Sequence, residues 1–286
     1  MPIRNAIPIK NPVVWPLSMD LAPSESPGSL SKKYLDLFTQ WVLDSSNDIQ
    51  GLSMFDKKTF CHGTIQAFDH FYIKHAGKRV RFFSGEFAYH RVCVQNSYEW
   101  KYIDHDLQKN DIVVISAPFS DLGSTHPDME SILSKCDQLG IPVLIDMAYI
   151  CISQNITINL CHPCIETVVT SLSKAFFGAQ FLRVGIRWQK DYHNDGIDMA
   201  NEAEMLPLIN MKLAINHFEH YDLDWNWQTY GKIYQETITD LGLQPTNCIL
   251  FGLGDETYQD YNRGNKTNRV CISQEIGEKY ASMQSQ

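Results

Sequence analysis

Lys174 stands among hydroxyls in Thr170-Ser171-Leu172-Ser173-Lys174, directly after an apolar run and nine residues before Arg183. A lysine that attacks an aldehyde must first lose its proton, and burial beside another cation lowers its pKa. Arg183 is the candidate cation, and its planar fork also suits a phosphate dianion, with the Ser171 hydroxyl as a further donor. An ordinary surface lysine at a strand end fits the same segment. Twenty-eight residues upstream, Val143-Leu144-Ile145-Asp146-Met147-Ala148-Tyr149 carries an acid at the end of a buried-strand pattern. Ligands of open α/β sheets collect at such strand ends. An ionised Asp146 there can pair with a protonated pyridine nitrogen and keep a bound ring electron-poor; it can equally cap a following helix. In Cys61-His62-Gly63-Thr64-Ile65 a Gly-Thr pair opens a helix, whose free N–H groups and dipole favour an anion.

These residues need elements to hold them. Between about 79 and 188, short β-branched or apolar runs alternate with helical stretches: Arg79 to Phe83, Asp111 to Ala117, Pro142 to Met147, Glu166 to Leu172 and Leu182 to Trp188. The alternation predicts a parallel α/β sheet. One intervening helix is expected to begin at Pro127, with Asp128 and Glu130 in its first turn, and to stop at Gly140. An amphipathic helix is expected over Ser31 to Leu43, from Tyr34, Leu35, Leu37, Phe38, Trp41 and Val42. After Trp188, helical patterns run from about Asp198 to Tyr221 and from Trp225 to Leu241. Short strands follow near Asn247 to Gly252 and Arg269 to Ser273. The organisation predicted is an N-terminal arm (1–31), a large α/β domain (32–190) and a small α+β lobe (191–286).

Composition narrows the function classes. Of 286 residues, 44% are hydrophobic and 20% charged, values of a globular chain and not of a disordered or fibrous one. A net charge of -9 repels phosphate backbones, and the longest basic stripe is Lys78-Arg79-Val80-Arg81, so a nucleic-acid partner is not expected. The eight cysteines are spread through a chain too long to need stapling and are read as reduced, consistent with a cytoplasmic setting. Residues 1–17 carry Arg4, Lys10 and four prolines, not the apolar run of an export signal or membrane span. Cys161-His162-Pro163-Cys164 lacks a second ligand pair at zinc spacing, so no metal is expected.

Taken together, the motifs resemble those of fold-type I pyridoxal-phosphate enzymes, specifically class I/II aminotransferases of the aspartate and histidinol-phosphate kind, in a shortened chain. In that family Ser-x-Ser-Lys followed by Arg-x-Gly carries the aldimine lysine and the phosphate arginine, which fall on Lys174 and Arg183, with Ser171 a phosphate donor. Asp-x-Ala-Tyr puts the pyridinium partner at Asp146 and a donor to the ring hydroxyl at Tyr149. Gly63, Thr64 and Ile65 match the phosphate-cradling helix start. In Phe83-Ser84-Gly85-Glu86-Phe87-Ala88-Tyr89-His90, Phe87 matches the aromatic that stacks on the ring and His90 a histidine that supports the aspartate. Thr267-Asn268-Arg269-Val270 is similar to the strand whose arginine clamps the substrate α-carboxylate, giving Arg269 that role. The family's Asn-Pro-x-Gly turn is replaced by Ser116-Ala117-Pro118-Phe119-Ser120-Asp121-Leu122-Gly123, with Ser120 on the asparagine's place; Asp121 is either a new acid in the site or a turn residue.

The resemblance implies an α/β fold with a mainly parallel central sheet flanked by helices and a small C-terminal α+β lobe. It also implies pyridoxal 5′-phosphate as cofactor, a homodimer, and amino acid and 2-oxo acid substrates. The expected activity is amino-group transfer, with Lys174, Asp146 and Tyr149 as the catalytic residues. Because the same cradle serves decarboxylases and lyases, another reaction on an amino acid is the alternative, and a catalytically inactive binding protein is a third.

Overall fold

In the computed structural model, Ile9 and residues 26–263 and 267–284 are described, so most of the expected arm and the last two residues lie outside the described residues. The elements in chain order are α1 (Pro27–Leu43), β1 (Asp48–Gln50), β2 (Lys57–Cys61), α2 (Thr64–Lys74), β3 (Arg79–Phe82), α3 (Ala88–Val94), β4 (Trp100–Tyr102), β5 (Asp111–Ser116), α4 (Met129–Leu139), β6 (Val143–Asp146), β7 (Thr157–Asn159), β8 (Ile165–Ser171), α5 (Ala179–Leu182), β9 (Gly185–Gln189), α6 (Gly196–Glu202), α7 (Leu208–His220), α8 (Trp225–Asp240), β10 (Phe251–Gly254), β11 (Asn268–Cys271) and α9 (Ser273–Gln284).

Seven strands form the central sheet in the order β2-β9-β8-β6-β5-β3-β4. Strands β4, β3, β5, β6 and β8 are parallel neighbours. Both faces of this part are covered. On β5, Ile112 and Val114 pack with Phe68, Phe71 and Tyr72 of α2, while Val113 and Ile115 join the larger core that includes Leu133 of α4 and Phe38 of α1. Double-sided burial explains why β5 and β6 read as unbroken apolar runs instead of alternating ones.

The expected parallel set needs one correction. Strand β9 runs antiparallel to both β8 and β2, and Ser171 faces Gly185 at the shared end. The chain between them makes a short helical turn and α5, then reverses at Arg183, which has a left-handed φ of 51°. The segment Leu182 to Val184, expected as strand, is therefore the reversal itself. The long helix expected from Asp198 to Tyr221 is broken into α6 and α7, with Pro207 just before α7. Proline cannot donate the N–H a continuous helix requires there. Helix α4 starts at Met129, two residues later than expected, because Pro127 and Asp128 form the turn that leads into it.

Helix α1 starts earlier than its apolar period suggested. Ser26 caps it by accepting from Ser29 N at 3.3 Å, and Pro27 occupies its first turn. Tyr34 and Phe38 are fully buried, and Tyr34 donates to the Gly185 carbonyl at 2.9 Å, tying the helix to β9. The basic stripe at β3 turns inward: Arg81 is buried against Asp111 at 2.9 Å and Asp106 at 2.5 Å, and Arg79 binds Asp111 at 2.6 Å. Its arginines are neutralised within the fold. Beyond the sheet, α8 and α9 pack together beside the antiparallel β10–β11 pair, with Tyr230 against Tyr280. Among the described residues no helix is long and apolar enough to cross a membrane.

Candidate active site

Strands β5, β6 and β8 end on Ser116, Asp146 and Ser171, and their carboxyl ends open into a cavity of about 260 Å³. Thr64, Ile65, Phe87, Ser120, Asp146, Tyr149, Ser171, Lys174, Arg183 and Arg269 all line it. Residues scattered over two hundred positions of sequence thus converge as the motifs required; Gly63 lies directly behind the wall. Lys174 ends the short helical turn after β8.

One end of the cavity is built for an anion. Gly63 caps α2 with φ of 74°, so the first N–H groups of an eleven-residue helix are turned toward the cavity mouth. A Cβ at Gly63 would lie 2.7 Å from Arg183 Nη2 and 3.1 Å from its Cζ. The missing side chain is therefore what lets the guanidinium settle over the helix start, where Nη2 also donates to the His62 carbonyl at 3.2 Å. Burial, and then the Arg183 charge, push the His62 imidazole below its ordinary value, which favours its neutral form.

The middle of the cavity holds carboxyl groups. Asp146 is 3% exposed, and its Oδ1 accepts from Ala148 N at 2.9 Å. Burial first, and the nearby Glu86 carboxyl second, push its pKa up to about 8. Glu86 is itself raised to about 7 by burial, against the pull of its hydrogen bonds from Ser116 and Phe87 N. Phe87 precedes α3, and its ring stacks on Tyr89 with centroids 6.0 Å apart. His90 does not support Asp146. Its Nδ1 is bonded to the Tyr72 hydroxyl at 2.7 Å, and Nε2 has no hydrogen-bond partner among the described residues. The rings of Phe68, Phe82 and Phe87 surround the imidazole, and burial lowers its pKa to about 3. Ser116 and the Ala148 N–H support Asp146 instead.

At the far end two arginines face the same space. Arg269 Nη1 donates to the Ser120 carbonyl at 2.5 Å and to the Tyr149 hydroxyl at 3.2 Å, and its guanidinium lies 4.6 Å over the Phe251 ring. Arg263 donates to the Ser120 hydroxyl at 3.2 Å. Burial, then the charge of Arg269, pull the Arg263 pKa below its ordinary value. A buried and a half-buried guanidinium, each donating to uncharged acceptors, attract an anionic ligand. Asp121 is buried away from the cavity wall and accepts from the Thr267 hydroxyl, so it ties a turn to the approach of β11.

Sequence reading missed Glu86, Ser116 and Arg263. Glu86 precedes the stacking phenylalanine, and an acid wedged between apolar segments was the available signal. Ser116 ends a buried strand, yet its importance comes from standing opposite Asp146 in the register. Arg263 lies in a polar loop with no pattern to mark it.

The comparisons agree with this geometry. The family model described as "Aminotransferase class I and II" matches residues 89–191. A pyridoxal-phosphate-bound C–S lyase from Staphylococcus hominis, complexed with L-cycloserine, is similar over 88% of this chain and 78% of its own, with a TM-score of 0.65 at 12% identity. The aspartate aminotransferase of Thermus thermophilus with maleate covers 92% and 82%, with 0.65 at 13% identity. The L-threonine-O-3-phosphate decarboxylase of Porphyromonas gingivalis covers 93% and 100%, with 0.56 at 15% identity. No curated protein matches the chain by sequence.

The fold is thus that of the fold-type I pyridoxal-phosphate enzymes, and the chain resembles class I and II aminotransferases within it. The cofactor these comparisons indicate is pyridoxal 5′-phosphate. The residues present fit that group: a cradle that a Cβ at Gly63 would fill, an amine at Lys174, and a buried carboxyl at Asp146 that a cation opposite it would hold ionised. Gly63→Ala is accordingly expected to displace Arg183 and weaken affinity for the cofactor and for inorganic phosphate about tenfold, the scale of one charge-assisted hydrogen bond. Titration of the apoprotein with each ligand checks it; equal weakening of both assigns the loss to the phosphate seat.

Proposed function

We propose that this protein is a pyridoxal-phosphate-dependent aminotransferase that moves an amino group between an amino acid and a 2-oxo acid. The observation that carries the reading is the convergence of Lys174, Asp146, Arg183 and Arg269 on one cavity. Bound there, the cofactor supplies an aldehyde and an electron-poor ring that takes up the electron pair of a carbanion. Arg183, Ser171, Thr64 and Ile65, with Gly63 behind them, hold the phosphate. Asp146 would hold the ring nitrogen in its protonated state, Phe87 would fix the ring plane, and Tyr149 and Ser120 would serve the ring hydroxyl. Arg269 binds the substrate α-carboxylate through its planar fork. Lys174 Nζ would take the proton from the substrate α-carbon and deliver it to the C4′ carbon of the cofactor, which requires an amine that is basic in one step and acidic in the next. The reading includes the homodimer that the resemblance implies.

Reduction of the loaded protein with borohydride, followed by peptide mapping and incubation of unreduced protein with single amino acids, tests this. A pyridoxyl group on Lys174 and conversion of the bound cofactor to its pyridoxamine form are the expected results. Release of carbon dioxide or of a side-chain fragment without pyridoxamine formation would replace transamination by decarboxylation or lyase chemistry. No adduct on Lys174 would remove the enzyme reading altogether.

A further inference from the structure

Glu86 is buried beside the cofactor site and has no part in the roles assigned so far. Its Oε1 accepts from Ser116 N at 2.6 Å, and its Oε2 accepts from the Ser116 hydroxyl at 2.5 Å and from Phe87 N at 3.0 Å. Ser116 stands opposite Asp146 in the β5–β6 register and both line the same cavity, so the hydroxyl that binds Glu86 is also next to the Asp146 carboxyl. A serine hydroxyl has one proton to donate and lone pairs with which to accept. When it donates to one carboxylate it can bond the other only by accepting, so the other must carry a proton. Bonding both acids therefore places a single proton on the pair, on Asp146 with Glu86 ionised or the reverse. Two carboxylates this close in a dry site resist ionising together.

We propose that Glu86, Ser116 and Asp146 form a proton relay in which Glu86 takes over the proton of Asp146 when a cationic ring nitrogen arrives, making Glu86 a positioning residue for the cofactor ring. This rests on the pyridoxal-phosphate reading. The Asp146 O–H proton passes to Ser116 Oγ as the Ser116 proton passes to Glu86 Oε2. The trio carries one negative charge before and after, and no proton is exchanged with solvent. The surrounding groups set the direction. Arg263, from the loop before β11, and the neutral Tyr72 hydroxyl of α2 face Glu86, while Lys174 faces Asp146. Without the ring cation, the Arg263 charge favours the negative charge on Glu86 and the proton on Asp146. A cation directly against Asp146 reverses that preference. Asp146 is then ionised where the ring needs it, although its burial resists ionisation.

Infrared difference spectra of the full chain, as apoprotein and loaded with pyridoxal 5′-phosphate, locate the proton directly. In the loaded protein the relay predicts a protonated-carboxyl C=O band that disappears in Glu86→Gln; in the apoprotein the corresponding band disappears in Asp146→Asn. A loaded spectrum that is the same in wild type and Glu86→Gln overturns the proposal. Should Glu86→Gln fail to fold, Ser116→Ala gives the same reading. The band of the loaded protein must then move as the acid loses its hydroxyl partner, with cofactor affinity about tenfold weaker, and an unmoved band overturns the relay. Visible absorbance of the bound cofactor separates two failures. Absorbance with unmoved infrared bands defeats the relay alone, and no cofactor absorbance defeats the aminotransferase reading and the relay with it.

Discussion

Lys174→Ala is expected to lower kcat about 10⁴-fold, the upper range for removing a positioned acid–base group, while the fold and the non-covalent cofactor seat survive. The expectation follows from what else lines the cavity. Among the described residues its other cations are the guanidiniums of Arg183, Arg263 and Arg269, which do not deprotonate in water and cannot stand in as a base. The carboxyl in its lining, Asp146, is assigned to the ring nitrogen. Lys174→Arg should therefore fail as completely as Lys174→Ala despite keeping the charge, and added small primary amines should restore part of the rate only to the alanine variant, where space has been opened. Single-turnover kinetics with far-UV circular dichroism checks this. Turnover within tenfold of wild type in Lys174→Arg would take the proton-transfer role away from this residue.

The second large effect has two signs in one variant. Asp146→Asn should reduce turnover about 10³-fold, the scale seen when one group that stabilises developing charge is removed, because a neutral amide does not favour a protonated ring nitrogen. The same substitution should stabilise the apoprotein in mildly alkaline solution. The folded-state pKa of Asp146 lies near 8, far above the ordinary value of an unfolded aspartate, so the native state binds a proton that the unfolded chain does not. Its contribution to stability is fully present below the unfolded value and is lost as pH rises through about 8. Glu86 behaves alike, with its loss nearly complete once pH passes about 7. His90 has the opposite sign: held near 3, it stays neutral while an unfolded histidine charges, so its contribution is complete above about pH 6.5 and is lost only on acidification. In the window from about pH 6.5 to about 8, wild-type apoprotein should lose stability more steeply than Asp146→Asn. The difference should approach about 1.4 kcal/mol per pH unit, the value for one proton bound in the native state alone. Urea melts across that window measure it, and parallel slopes would mean that Asp146 is already ionised in the empty site. Cofactor binding should leave the slope of the wild type largely in place, since the proton that Asp146 gives up is kept on Glu86 and the native state still holds it.

The amino-acid sequence by itself determined the parts whose meaning is local. The apolar runs of β5, β6 and β8, the hydroxyl-flanked Lys174 with Arg183 behind it, Asp146 at a strand end and the Gly-Thr start of α2 are each legible in a window of some ten residues. In each, the functional residue is a chain neighbour of the element that positions it. Only the tertiary structure decided the rest. The direction of β9 depends on a reversal at Arg183 that alternating hydrophobicity does not encode, since a strand looks the same read either way. His90 is turned toward Tyr72 by packing among three phenylalanines, and Arg263 reaches the cavity through a loop that carries no periodic signal. Glu86 and Ser116 lie thirty residues apart in the chain, and Ser116 a further thirty from Asp146. Their coupling is set by the β5–β6 register and by burial. A carboxyl's pKa follows from the water removed and the charges brought near on folding, and neither exists until distant segments meet.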